Sequence, residues 1–292
     1  MDKREFLLRI KLCPGIGLKG ESLIYDWLLQ QVHFASYSLA GLLQPLAALL
    51  RAHRLKTSSF IQHFLSPELS ERVQANQRGG WITILDAEYP AQLKEIFLPP
   101  IVLFFAGKLK FLTKIPVLGI VGSRKCSAYA VNSLKRTVTA PVVKQYLIVS
   151  GLAAGVDTLG HQLALAHQGQ TVAVLGTGLD HYYPAANRAL QQELVRHQLV
   201  ITEYPLGFGP RRYQFVERNR IIAGLCQKLL VVEARQKSGS LITASLALQS
   251  NRDVLAIPGN INSQLSLGAN ELIAAGAQPC IDTQDLLGRV VL

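Results

Sequence analysis

Glycine-rich segments that directly follow apolar runs are the chain's strongest candidates for chemistry. Four such segments occur in order along the chain: Gly122–Arg124, Ser150–Asp157, Gly176–Asp180 and Ser238–Ser240. Glycine lets backbone amides approach a ligand closely, and a helix N-terminus favours an anion. Hydroxyl and guanidinium groups, such as those of Ser123 and Arg124, complete a phosphate site. One such turn would mean little, but four of them predict an anion-binding rim.

Familiar nucleotide-site fingerprints do not fit these segments. A dinucleotide site needs G-x-G-x-x-G, and Gly176–Gly178 lacks the third glycine. No G-K-[ST] of a P-loop occurs, and Ser150 lacks the preceding glycine of a nucleophile elbow. The nearest remaining enzyme class is a nucleotide-releasing phosphoribohydrolase of the lysine-decarboxylase-like group. Its Pro-Gly-Gly-x-Gly-Thr-x-x-Glu signature is missing, since Pro258–Asn260 has no following Gly-Thr or Glu.

A second signal is a mixture of arginines and aromatic residues just before a predicted helix. In the segment 209–220, four arginines interleave with Tyr213 and Phe215. Arginines that hold a phosphate backbone, beside rings that stack on bases, are the usual arrangement for sequence-tolerant binding of single strands. The alternative is that Phe215 packs in the core while the arginines form a solvated face. The glycine-rich segments favour the nucleic-acid interpretation.

Five acidic or histidine side chains could act as catalysts but have simpler interpretations. Asp157 and His161 stand four positions apart on one helix face and could form a general base pair. Without a nucleophile or metal partner, a helix cap and a hydrogen-bonded histidine are the better prediction. We expect Glu203 and Glu233 to orient neighbouring arginines. Asp180 is expected to bond backbone amides of its own loop.

Composition and charge narrow the class of protein. The 292 residues are 49% hydrophobic and 17% charged, which argues for a folded chain with a sizeable core. Thirty Lys and Arg against nineteen Asp and Glu give a net charge of +11, which attracts polyanions such as nucleic acid. The alternative is a surplus that serves solubility. The four cysteines are far apart and form no C-x-x-C pair, so we expect reduced, mostly buried thiols and no metal site.

The second half of the chain alternates strand-like and helix-like patterns. Predicted strands cover 117–121, 147–149, 171–175, 199–202, 229–232 and 254–257. Predicted helices cover 128–144, 158–167, 187–197, 218–225 and 240–249. This alternation predicts an α/β fold with a doubly wound, mostly parallel sheet, whose ligands bind at the carboxyl ends of the strands. The glycine-rich segments fall at those ends.

The first part of the chain lacks this alternation. The sequence therefore predicts three segments along the whole chain. Residues 1–65 read as a small all-α domain with helices over 6–12, 22–31 and 40–54, and the Pro14–Gly17 turn suggests a helix-hairpin-helix arrangement. Residues 66–114 read as a connecting segment with strands over 81–85 and 101–105, and residues 115–292 as the sheet domain. No stretch has the pattern of a signal peptide or a membrane span, so we expect a cytoplasmic protein that does not contact membranes.

Together these motifs resemble the DprA/Smf family of DNA-processing proteins. The resemblance runs in order from about residue 80 to 285. Its segments are Tyr89-Pro90, Pro99-Pro100, Gly122–Arg124, Ser150–Asp157, Gly176–Asp180, Tyr183-Pro184, Asn187, Glu203–Pro205, Phe215, Arg218–Ile222, Ser238–Ser240, Pro258–Asn260, Gly268, Asn270 and Gly276-Ala277. The helical N-terminal segment resembles the sterile-alpha-motif-like domain of many members. We expect no C-terminal winged-helix domain, which some members have, because the sequence ends at Leu292.

The resemblance implies an extended Rossmann-like domain that binds single-stranded DNA without catalysis. It implies protection of incoming strands and loading of the recombinase RecA during natural transformation and homologous recombination. It also implies a homodimer formed within 246–287, and no catalytic residue, metal or other cofactor. The alternative is a nucleotide-processing enzyme on the same fold.

Fifteen residues form the predicted DNA site. Those expected to line the groove or lie beside it are Ser123, Arg124, Phe215, Arg218, Asn219, Arg220, Lys237, Ser238 and Ser240. Those expected to shape it are Gly122, Gly151, Gly155, Gly176, Gly178 and Gly239.

Overall fold

The computed structural model describes residues 1–113 and 116–288, which form two compact units. The first unit comprises Met1–Tyr89 with Phe97–Phe105. The second comprises Pro90–Ile96 with the described part of Ala106–Leu292. The predicted domain boundary between residues 114 and 115, and the predicted end of the sheet domain at residue 292, lie outside the described residues.

The first unit begins with helices and ends with a pair of strands. Its helices are α1 (Lys3–Leu12), α2 (Gly17–Leu29), α3 (Leu39–Ala52), α4 (Ser58–His63) and α5 (Pro67–Gln77). Strands β1 (Gly80–Thr83) and β2 (Val102–Gly107) pair antiparallel. The three helices predicted from the sequence and the turn between the first two are therefore confirmed, with ends shifted by a few residues.

Two helices of the first unit were not predicted from the sequence. Helix α4 is short, and α5 buries Leu69 as its one large apolar side chain. Helix α5 begins where Ser66 caps it and Pro67 occupies its first turn, and it packs against α1. The buried Arg9 of α1 fixes this region, because its Nε and Nη2 donate to the Phe64 carbonyl at 2.9 and 2.6 Å. Because α5 buries few apolar side chains, its sequence shows no periodic apolar pattern from which a helix could be predicted.

The second unit is built around seven parallel strands. They are β3 (Val117–Gly122), β4 (Leu147–Ser150), β5 (Thr171–Leu175), β6 (Leu199–Thr202), β7 (Lys228–Val232), β8 (Asp253–Ala256) and β9 (Gln278–Pro279). Their order in the sheet is β6-β5-β4-β3-β7-β8-β9. The predicted doubly wound α/β sheet is confirmed.

Helices connect the strands and cover the sheet. They are α6 (Ala91–Lys94), α7 (Ala128–Thr137), α8 (Ala140–Gln145), α9 (Val156–Ala166), α10 (Arg188–His197), α11 (Arg212–Leu225), α12 (Gly239–Gln249), α13 (Leu267–Ala274) and α14 (Thr283–Leu287). Strands β4, β5 and β6 are buried along their whole length, as expected for parallel strands covered on both faces. The single helix predicted over 128–144 is wrong. It is two helices, since Pro141 has no N–H with which to continue the hydrogen-bond ladder of α7, and it instead occupies the first turn of α8 after the extended Thr139.

The strand order reverses direction at one point of the sheet, between β3 and β7. From β3 the chain proceeds through β4, β5 and β6 to one side, then returns to β7 on the other side of β3. The connections that leave β3 and β7 therefore diverge. Such a topological switch point opens a crevice at the carboxyl ends of the strands. No helix of the described residues is long and apolar enough to cross a membrane.

Candidate functional site

A cleft of about 530 Å³ opens at this switch point. It lies beyond the carboxyl ends of β3 and β7, beside the first turns of α9, α11 and α12. Nine residues of the predicted site line it: Gly122, Ser123, Arg124, Phe215, Arg218, Asn219, Ser238, Gly239 and Ser240. The structure thus brings together residues that are up to 118 positions apart in the chain. We refer to this space as the cleft.

Three of the predicted glycines make room for side chains of the site. A Cβ on Gly151 would overlap the Arg218 guanidinium, and one on Gly176 would lie 2.8 Å from Cδ1 of Phe215. A Cβ on Gly155 would overlap the Ser123 carbonyl oxygen. These glycines therefore set where the residues of the site can lie, while the cleft lining itself comes from other positions.

The remaining predicted residues lie outside the cleft lining. Gly178 is buried, and a Cβ there would lie 2.5 Å from the Pro205 carbonyl oxygen. Lys237 is exposed, with a φ of 55°, one residue before the cap of α12. Arg220 is buried, and its Nη2 donates to both carboxylate oxygens of Glu203 at 2.7 and 2.8 Å. DNA contact by these three residues stays a prediction, as it does for the other twelve residues of the predicted site.

Arg218 forms the buried floor of the cleft. Its side chain is only 3% exposed, and Nη1 donates to the Val174 carbonyl at 2.6 Å. Burial lowers the pKa of Arg218, while nearby Asp157 favours its charged form. Burial likewise raises the pKa of Asp157, and Arg218 opposes that shift. A guanidinium held at the base of a cleft, with little of its charge exposed to water, adds to the attraction for an anion.

The wall of the cleft pairs an exposed arginine with an aromatic ring. The Cζ of Arg124 lies 5.5 Å from the centroid of the Phe215 ring. Phe215 is only partly buried and lines the cleft, so the alternative that it packs in the core is not what the structure shows. Further exposed cations along the lining are Lys125, Arg212 and Arg235, which the site prediction did not include.

Two helices present their first turns to this space. Helix α12 begins after Ser238, whose side chain makes no capping hydrogen bond, and the Oγ of Ser240 donates to the Gly122 carbonyl at 2.9 Å. Helix α9 begins after Gly155, again without a side-chain cap, but its Val156 and Thr158 N–H groups donate to the carbonyls of Ser123 and Ala153. Amides of a first turn that lack such partners bind anions readily, which favours the start of α12 as the anion site.

The acidic groups near the cleft are held by local bonds. Both carboxylate oxygens of Glu233 accept hydrogen bonds from Ser127, one from its backbone N–H and one from its hydroxyl. The expectation that Glu203 orients an arginine is confirmed by Arg220, whereas for Glu233 it is wrong, because this side chain fixes the cap residue of α7 instead. The prediction that Asp157 caps its helix is wrong, because α9 begins after Gly155 without a side-chain cap and the Asp157 carboxylate instead accepts the Ala153 N–H of the preceding loop at 3.3 Å.

His161 is a structural histidine beneath the cleft. It is fully buried, and its Nδ1 lies 2.7 Å from the Oγ1 of Thr171, as predicted for a hydrogen-bonded histidine. Burial and the nearby Arg218 lower the pKa of His161 to about 3. The ring is therefore neutral at physiological pH.

Acidification is expected to destabilise the second unit through His161. The unfolded chain takes up a proton as the pH falls below about 6.5, the ordinary pKa of histidine, whereas the folded chain does so only near 3. The free energy of unfolding should therefore fall by about 1 kcal/mol per pH unit between roughly pH 6 and 4 because of this group. Urea unfolding of the wild type and of His161→Gln at pH 7, 6 and 5 measures the difference. Parallel pH dependences would contradict it.

Comparison with known proteins places the chain in a family. The family model of DNA recombination-mediator protein A matches residues 80–290. The DNA processing protein DprA of Streptococcus pneumoniae (strain ATCC BAA-255 / R6) is 46% identical over 228 residues, which are 78% of this chain and 80% of that protein.

Two solved structures resemble the whole chain or its larger part. The X-ray structure of DprA from Streptococcus pneumoniae superposes with a TM-score of 0.83 at 36% identity, over 97% of this chain and 96% of that one. DNA processing protein A from Helicobacter pylori, described for its single-stranded DNA binding mode, gives a TM-score of 0.65 at 27% identity, over 73% and 96%. The resemblance drawn from the sequence motifs is thereby confirmed: the chain belongs to the DNA recombination-mediator protein A family, also known as DprA/Smf.

Proposed function

We propose that this protein binds single-stranded DNA in the cleft and acts on it without catalysis. The observation that carries the proposal is the partly exposed Phe215 ring under the Arg124 guanidinium, set between helix N-termini. A ring of this kind stacks on an unpaired base, and the arginine and the helix amides contact the adjoining phosphates. A base inside a duplex is already stacked on both faces, which favours single strands as the ligand.

The chemistry of the site supports binding without reaction. His161 is buried and neutral, Glu233 is bonded to Ser127, and Asp157 accepts the N–H of Ala153 in the loop before α9. The candidate general acids and bases are thus engaged in structural bonds. This arrangement favours the binding function over the alternative of a nucleotide-processing enzyme on the same fold.

The proposal extends to the biological role that the family relationship suggests. A relative from Helicobacter pylori is described for its single-stranded DNA binding mode, and the family is named for mediating recombination. We infer that this chain protects single strands in the cytoplasm and loads RecA onto them during natural transformation or homologous recombination. We also infer that it acts as a homodimer, formed within 246–287.

Loss of the Arg124 side chain tests the DNA interface. Arg124→Ala is expected to weaken binding of a labelled single-stranded oligonucleotide by about tenfold at low salt. It should also reduce the slope of log K against log salt concentration by about one, which corresponds to the loss of one phosphate contact. Fluorescence anisotropy with the single strand and its duplex, across a salt series, measures both quantities.

Arg136→Ala is the matched control for this experiment. It removes the same charge from an exposed position in the last turn of α7, roughly 13 Å along the helix from its start beside the cleft. Its single-strand affinity should stay within about twofold of the wild type. Equal binding of single strand and duplex, or none, would overturn the proposal, and turnover of nucleoside monophosphates would then be tested. Stimulation of RecA-dependent ATP hydrolysis on single-stranded DNA tests the loading role separately.

A further inference from the structure

Two exposed tyrosines lie next to the cleft but outside its lining. Tyr182 and Tyr183, in the loop between β5 and α10, are 36% and 43% exposed. The Tyr183 ring centroid lies 5.1 Å from that of Phe215, with an angle of 38° between the planes. Because Phe215 lines the cleft, the tyrosine ring continues its aromatic surface toward the β5 side of the sheet.

Arginines accompany both ends of this aromatic surface. Arg124 lies over Phe215 at the cleft, and the Cζ of Arg188 lies 4.9 Å from the centroid of the Tyr182 ring. Arg188 is exposed at the start of α10. The pattern of a ring with a guanidinium beside it, found once in the cleft, is therefore found again outside it. Rings that stack on successive bases, with arginines along the backbone, are typical of surfaces that bind single strands.

The loop that carries the tyrosines, residues 179–187, is fixed by buried side chains. The Nδ2 of Asn187 donates to the Leu152 carbonyl at 2.9 Å and to the Oγ1 of Thr158 at 2.8 Å. The Nε2 of Gln191, itself buried, donates to the His181 carbonyl at 3.2 Å. A loop held in this way presents its rings with little loss of conformational freedom when a ligand binds.

The same loop carries one acidic side chain, which is hydrogen-bonded. Its acidic residue is Asp180, whose Oδ2 accepts the Gly207 N–H at 2.9 Å and whose Oδ1 lies 3.1 Å from the Nδ1 of His181. Because Gly207 lies in the loop between β6 and α11, the prediction that Asp180 bonds amides of its own loop is wrong, and the carboxylate keeps its negative charge. A rigid loop that leaves two large rings open to water, in a basic setting, is better suited to binding than to packing.

We propose that Tyr182 and Tyr183 form a second base-stacking subsite for single-stranded nucleic acid. It receives the nucleotides that leave the cleft past Phe215, so the bound strand is longer than the cleft alone accommodates. This inference rests on the proposed function, because it extends the same binding surface.

Oligonucleotide length separates the subsite from the cleft. Tyr183→Ala is expected to bind an oligonucleotide of about twelve nucleotides roughly tenfold more weakly than the wild type, the loss of one moderately strong base stack. An oligonucleotide of about four nucleotides, near the smallest site sizes of single-strand binders, should be bound equally by both proteins. Tyr183→Phe keeps the ring and should stay within about twofold for both lengths.

Abasic oligonucleotides identify the contact as stacking. When the nucleotides at one end of the longer strand carry no base, the wild type should lose about the same factor, and Tyr183→Ala should then add nothing further. Strands with abasic positions at either end show which end meets the subsite. A tyrosine variant that weakens the short strand as much as the long one would overturn the inference, because Tyr183 would then act only by holding Phe215.

Failure of the subsite can be told apart from failure of the proposed function. A wild-type protein that binds no single strand contradicts the proposed function itself. A wild-type protein that binds the long strand no better than its Tyr183→Ala and Tyr182→Ala variants contradicts only the subsite. If Tyr183→Ala does not fold, as judged by its thermal transition, Tyr182→Ala and photo-crosslinking of 5-iodouracil strands to the wild-type protein decide. Crosslinks to peptides without either tyrosine would count against the subsite.

Discussion

Replacing Glu203 by alanine is expected to lower the free energy of unfolding of the second unit by about 3–5 kcal/mol. Glu203 is completely buried after β6, and both of its oxygens bond Arg220, which is 8% exposed. Without the carboxylate, a guanidinium charge stays in the interior and loses its two charged hydrogen bonds. Removing the carboxylate partner of a buried charge is far more costly than losing an ion pair at the surface.

A double substitution separates the effect of the buried charges on stability from the effect of the side-chain volume. Glu203→Leu with Arg220→Met removes both charges at similar volume and should recover most of the stability that either single substitution loses. Urea unfolding of the wild type, Glu203→Leu, Arg220→Met and the double variant measures the coupling free energy between the two side chains. Glu203→Ala as stable as the wild type would contradict the prediction. The double variant also tests whether Arg220 contacts DNA, because its burial away from the cleft lining predicts an unchanged affinity for single strands.

The sheet could be predicted from the sequence because its strands are buried on both faces. Such strands appear as short continuous apolar runs, and the predicted 171–175 and 199–202 coincide with β5 and β6. The site could be located for a related reason. In a parallel sheet all carboxyl ends lie on one edge, so Gly122 and Gly239 were expected near one another although they are far apart in the chain.

Burial of individual charged residues could not be predicted in the same way. Arg218 and Arg220 stand two positions apart on α11 and point in different directions, yet both are buried. The reason is that α11 is enclosed by several elements, among them β5, α12 and α6. The sequence shows that these residues are charged, but only the packing around the helix shows that one forms the floor of the cleft and the other an internal ion pair.

The aromatic surface beside the cleft has the same origin. Tyr183 and Phe215 lie on different connections of the sheet and meet only because β5 and α11 pack together. The dipeptide Tyr182-Tyr183 is visible in the sequence, but no local pattern says which ring lies beside Phe215. Pairwise contacts of this kind depend on the tertiary structure.

A methyl group at Gly155 is expected to disturb both the fold and the DNA site. Gly155 has a φ of 80°, and an added Cβ would overlap the Ser123 carbonyl oxygen and lie 2.8 Å from the Arg124 carbonyl carbon. The backbone strain and the displaced loop together should lower the free energy of unfolding by about 3 kcal/mol. The Val156 N–H, which donates to the same Ser123 carbonyl at 3.1 Å, would lose its partner. Single-strand affinity should fall at least as far as for Arg124→Ala, since the loop that carries Arg124 moves.

Gly239→Ala is the matched control, because both glycines lie at the start of a helix beside the cleft. A Cβ at Gly239 meets no atom within 4 Å, and its φ lies outside the left-handed region. The variant's stability should therefore stay within about 0.5 kcal/mol of the wild type. Its new methyl group, however, lies in the lining of the cleft, so close approach of a phosphate to the first turn of α12 should be hindered and affinity should fall several-fold.

The two variants together distinguish the shape of the site from the approach of the ligand. Gly155→Ala should lose stability and affinity together, whereas Gly239→Ala should lose affinity alone. Urea unfolding and fluorescence anisotropy on the same preparations provide both quantities. If Gly239→Ala bound single strands as tightly as the wild type, the DNA backbone would not approach the start of α12. Phosphate binding would then have to be assigned to Arg124 and the other exposed arginines of the cleft.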